Sequence, residues 1–85
     1  MANLGTWDID TQGAYAKLSE LTEETFTEGT VYTLQGIGSD YFLREGEDGS
    51  GFKIADKEKV QWTAGTDDLY IKTMVYDKCS INIAE

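Results

Sequence analysis

A chain of 85 residues makes one small domain with a thin core and leaves no material for a two-lobed catalytic cleft. Hydrophobic residues make up 40% and aromatic residues 12%, which places the chain among folded proteins rather than disordered ones. Seven Lys and Arg against sixteen Asp and Glu give a net charge of −9. Such a surface repels phosphate backbones and anionic bilayers, so it argues against nucleic-acid and membrane partners.

The first residues, Met1 to Trp7, carry neither the basic region nor the apolar run of a signal peptide, and no stretch approaches the ~20 apolar residues of a bilayer span. Synthesis and folding in the cytoplasm are expected. Residues 1–13 are largely polar, with Trp7 and Ile9 as apolar marks between Gly5 and Gly13. They read as an N-terminal arm or edge strand whose Trp7 covers one end of the core. Residues 14–21 are ambiguous. Tyr15, Leu18 and Leu21 are spaced three apart, as in a short helix, yet the segment also reads as a strand near 15–21 followed by a turn across 22–29.

Residues 30–35, TVYTLQ, are rich in β-branched and aromatic types and lie between Gly29 and Gly36, which makes them the clearest strand. A turn at 36–40 leads to a second strand at 41–45, so 30–45 reads as a hairpin. The acidic glycine-rich loop 46–51 follows. A short strand then places Phe52 and Ile54 inward, and another places Val60 and Trp62 inward. In the closing segment Leu69, Ile71 and Thr73 alternate with Tyr70, Lys72 and Met74, and Ile81 and Ile83 alternate with Ser80, Asn82 and Ala84. That alternation runs to the final residues, so no trailing tail is expected. Turn signals recur roughly every eight to twelve residues, which predicts an all-β domain spanning 1–85, a small antiparallel β-sandwich or barrel of about six to eight short strands.

The chemistry is bounded mainly by exclusion. The chain has no histidine, so the usual nucleophile–base arrangements are not available. Lys53, Lys57, Lys59 and Lys72 fall in turns or on wet faces, where an ammonium keeps its proton. The acidic pairs Asp67–Asp68 and Glu47–Asp48 sit in glycine-rich turns where water keeps both partners ionised. Cys79 stands alone, so neither an internal disulfide nor a zinc site is expected, and it reads as a small, partly buried side chain. Asp8, Asp10 and Gly13 match the opening of a calcium-binding loop, but Ser19 stands where the bidentate Glu is needed and Glu20 comes one residue late. A looser calcium contact at Glu47, Asp48 and Ser50 remains open. The glycines at 36–38 and 46–51 have no lysine in a phosphate-binding position, and turns explain them. No catalytic residue and no cofactor are therefore expected. Trp7, Tyr15, Tyr32, Tyr41, Trp62, Tyr70 and Tyr76 could form a sugar-stacking platform, but so small a core consumes most of them. Trp7, Tyr70 and Tyr76 are the interface candidates, with Tyr70 and Tyr76 expected to be exposed.

The order of these segments resembles small virion structural proteins of tailed bacteriophages and prophages. The resemblance rests on Gly29, Tyr32, Leu34 and Gln35 in the first clear strand and on Gly51, Phe52 and Ile54 after the central loop. It rests also on the closing runs DLYIK (68–72) and INIAE (81–85), and covers residues 29–85. It implies a non-enzymatic particle component, a capsid decoration, connector or tail-associated protein. Such a component is made in the host cytoplasm, ends in the virion, contacts other virion proteins and forms homo-oligomers. The alternative reading from the residues is a small carbohydrate-binding β module.

Overall fold

A computed structural model describes residues 3–11, 13–47, 51–74 and 79–85. Alternating inward apolar and outward polar side chains build its strands: β1 Asn3–Ile9, β2 Ala16–Lys17, β3 Val31–Ile37, β4 Tyr41–Glu45, β5 Phe52–Ile54, β6 Lys59–Thr63, β7 Leu69–Thr73 and β8 Cys79–Ala84. A single helical turn, α1 Leu18–Thr22, follows β2. The strands form two four-stranded sheets, the first in the order β1-β8-β3-β6 and the second β2-β7-β4-β5. Every described pairing is antiparallel.

The pairs β1–β8, β2–β7, β3–β6 and β4–β5 are the rungs of one nested ribbon with its tip at the 46–51 loop. Cross-pairing of β3 with β8 and of β4 with β7 rolls that ribbon into two facing sheets. The result is an all-β antiparallel sandwich with the winding of an eight-stranded jelly roll.

The core lies between the sheets. Tyr32, Leu34, Ile81 and Ile83 enter from the first sheet, Tyr41, Leu43 and Ile71 from the second, and Leu18 from α1; all are fully buried. Each such side chain contributes about 1.5–3 kcal/mol by leaving water. Phe26 meets the rings of Tyr32 and Trp62 edge-on, with centroids 5.0 and 5.5 Å apart. The Thr73 backbone N–H donates to Thr11 Oγ1 at 3.0 Å, which ties the segment after β1 to β7.

Three local expectations are corrected. Residues 30–45 are not a hairpin. β3 already has β6 on one edge and β8 on the other, so the chain after β3 crosses to the second sheet and begins β4 there. Two side chains hold the crossing: Asp56 Oδ1 accepts from the Gly38 N–H at 2.9 Å, and Asp40 Oδ1 accepts from the Asp56 N–H at 2.8 Å. Residues 15–21 do not form a full strand. Only Ala16 and Lys17 pair, against Ile71 and Tyr70, before the backbone turns into α1 and buries Leu18. Phe52 is not inside. It shares Leu43's register, but a three-residue edge strand at the rim leaves it 54% exposed. Ile54 and Trp62 are buried as expected, and Val60 packs half-buried against the core.

Candidate interaction faces

The pleat that buries Tyr32, Leu34, Ile81 and Ile83 turns their strand neighbours outward. From β3 these are Val31, Thr33, Gln35 and Ile37; from β8, Ser80, Asn82 and Ala84. The flanking strands add Thr6 and Asp8 from β1, and Lys59, Gln61 and Thr63 from β6. In a protein that is 27% charged, this face carries hydroxyls, amides and aliphatics, with Asp8 at its β1 edge and Lys59 at its β6 edge. Val31 and Ile37 are 45% and 36% exposed. Gln35, Ser80 and Asn82 are held in place by hydrogen bonds. Asn82 Nδ2 lies 2.9 Å from Thr6 Oγ1 and 3.0 Å from Asn3 Oδ1. Gln35 Nε2 donates to the Lys57 carbonyl at 2.8 Å, and Ser80 Oγ donates to Asp8 Oδ1 at 3.1 Å. Fixed rotamers of this kind lower the entropy cost of docking.

The outer face of the second sheet has the opposite chemistry. Register sets Lys53, Phe42 and Lys72 in one row across β5, β4 and β7. Arg44, Tyr70 and Lys17 form the next row across β4, β7 and β2. Four of the chain's seven basic residues thus share one face. Tyr15 lies across it. The Arg44 guanidinium sits 4.1 Å from the Tyr15 ring centroid and the Lys72 ammonium 4.9 Å from it. The Tyr15 hydroxyl reaches Gly51, where any Cβ would collide with it. Lys17 pairs with Asp68 and Lys53 with Asp40, each at 3.5 Å, and exposed pairs of this kind contribute little stability. The Asp68 carboxylate, followed by the neighbouring Tyr70, raises the Lys17 pKa above its usual value. Tyr15 therefore covers the Arg44–Lys72 part of this face.

A third feature is an open cleft of about 510 Å³ at one end of the sandwich, with Phe26 and Trp62 in its wall and Glu24, Glu28, Asp67 and Asp68 among its lining residues. Trp62 Nε1 donates to Glu45 Oε1 at 3.1 Å.

Of the interface candidates, Trp7 faces Ile81 across β1 and β8, so its ring is half-buried on the inner side rather than presented to a partner. Tyr70 does lie on an outer face, but the expectation of exposure fails: it is 8% exposed. Arg44 stacks over its ring and Glu47 Oε1 accepts from its hydroxyl at 3.2 Å. Burial, then the Glu47 charge, pushes its pKa upward. Tyr76 lies outside the described residues, as do Asp48 and Ser50 of the calcium contact considered above. Asp8 is in a regular strand rather than a cation-binding loop. Among the described residues no group of three or more His, Cys, Asp or Glu is placed to hold a metal ion. Cys79 is buried opposite Ile9. Sequence reasoning did not find the uncharged face, because its residues come from four strands distant in the chain. The only available signal was the uncharged alternation in 31–37 and 80–84.

No protein-family model, curated protein or solved structure matches the chain.

Proposed function

We propose that this protein is a non-enzymatic structural or assembly component of a tailed-phage or prophage particle, working through protein–protein contacts. The observation that carries the reading is the outer face of the first sheet: ordered by hydrogen bonds at Gln35, Ser80 and Asn82, nearly free of charge, and exposed at Val31 and Ile37, while Tyr15 lies across part of the opposite face. Interface cores are depleted of charged residues in this way. The jelly-roll winding adds support at the level of fold analogy, since viral capsid domains use it. Lectin domains use it too, but among the described candidate rings for a sugar platform Trp7 packs toward the core, while Trp62 and Tyr70 are buried.

The test starts from the neighbouring genes, where capsid, portal or tail genes are expected, and proceeds to co-purification with their products. Stoichiometric, saturable binding to one of them is expected. Absence of binding to all of them, together with absence from purified particles, overturns the proposal.

A further inference from the structure

We infer that the outer face of the first sheet is a two-fold interface between copies of this chain. The inference names a partner for the face on which the proposed function rests. Two bodies of charge −9 repel each other over most of their surfaces. They meet at least electrostatic cost where charge is missing, and among the described faces that is this one. The charges that remain are arranged for self-recognition. Asp8 lies on the β1 edge and Lys59 on the β6 edge, and those strands are at opposite sides of the sheet.

Consider a two-fold axis parallel to the strands, above the seam between β8 and β3. It lays β1 of each copy over β6 of the other. Asp8 is level with Ile37, and Lys59 is level with Gln35, two residues along the same strand. The offset is about 7 Å, which a lysine side chain spans. Each Asp8 therefore meets the Lys59 of the other copy, twice by symmetry. The other in-plane axis stacks β1 on β1 and β6 on β6, which keeps each Asp8 away from the other copy's Lys59 and brings the two Lys59 residues within about 7 Å along the strand, so the charge pattern selects one geometry.

Size sets the strength. Four strands of about six residues outline roughly 19 by 20 Å. That is below the ~800 Å² of accessible surface per partner in a standard interface. The dimer is therefore weak, formed at high concentration or when many copies are arrayed.

Sedimentation equilibrium of the full chain in physiological salt, up to millimolar protein, tests this. A monomer–dimer equilibrium is expected. Thr33→Glu, beside the axis, should weaken it at least about tenfold, because it sets two carboxylates against each other. Thr66→Glu makes the same change of net charge in an exposed turn and should leave it unchanged. Asp8→Lys and Lys59→Asp should each weaken it, and the double swap should restore it. Circular dichroism confirms that each variant is folded. A strict monomer at millimolar concentration, an open-ended polymer, or a dimer indifferent to Thr33→Glu overturns the inference. If the dimer persists but no particle protein binds, the proposed function fails and the interface stands; the reverse result removes the interface alone.

Discussion

Gly36→Ala tests how tightly the roll is closed. Gly36 follows Tyr32 and Leu34 on the inward side of β3, where a side chain would normally enter the core. The space is already taken. A Cβ at Gly36 would stand 2.5 Å from Tyr41 Cδ1 and 2.7 Å from Cε1. Tyr41 cannot swing aside cheaply, because it is fully buried and its hydroxyl donates to the Glu58 carbonyl at 2.9 Å. Overpacking of this kind costs about 1–3 kcal/mol. If the ring shift also breaks the hydroxyl bond, a further ~1 kcal/mol is lost. At about 4–8 °C per kcal/mol for a domain of this size, a loss of ~2 kcal/mol lowers Tm by about 8–16 °C. Urea melts of Gly36→Ala, Tyr41→Leu and the double variant decide the matter. The leucine removes the obstacle, so the double variant should be more stable than the sum of the single losses implies. A Gly36→Ala protein as stable as the parent, or strictly additive losses, would falsify the packing argument.

Thr11→Val should cost about 1–3 kcal/mol in urea melts, since it removes the two buried hydrogen bonds that Thr11 Oγ1 makes with Thr73; Thr11→Ser should recover most of that. Gly51→Ala and Tyr15→Ala should each cost about 1 kcal/mol by lifting or removing the ring that stacks on Arg44 and Lys72. Combining them should cost less than the sum, the remainder coming from the new Cβ standing 3.0 Å from the Leu43 carbonyl, and full additivity would separate Gly51 from the Tyr15 contact. Burial raises the Tyr41 pKa above its ordinary 10.0, so the folded state holds the phenol proton more tightly than the unfolded chain. That contribution is complete below pH 10 and is lost as pH rises through the raised value, so stability falls on the alkaline side. Tyr41→Phe should flatten this decline, as read by urea midpoints against pH and by phenolate absorbance.

Sequence reasoning reached the strands but not their neighbours. Period-two alternation at 69–73 and 80–84 records which side of a strand is dry, and the structure keeps those sides, while the strand read at 30–35 runs on through Ile37. Alternation does not record which strand lies alongside. The turn after β3 has the composition of a hairpin turn, yet the edges of β3 are filled by β6 and β8, which come later in the chain. Tyr70 illustrates the same limit: the pleat places it outside, but only the register across to Arg44 explains its burial. The basic face was equally hidden, because Lys17, Arg44, Lys53 and Lys72 are scattered in sequence and gathered only by the second sheet.

The nested ribbon also dictates when the protein can take shape. Its tip, β4 with β5, joins segments a few residues apart, while its outermost rung joins Trp7 to Ile81. Loop-closure cost grows with that separation, so structure should spread from tip to ends, and slowly for so few residues. During translation β3 can pair with β6, but β1 must wait for β8, which lies between β1 and β3. Until β8 arrives, β1 and one edge of β3 stay bare, a natural client for a chaperone.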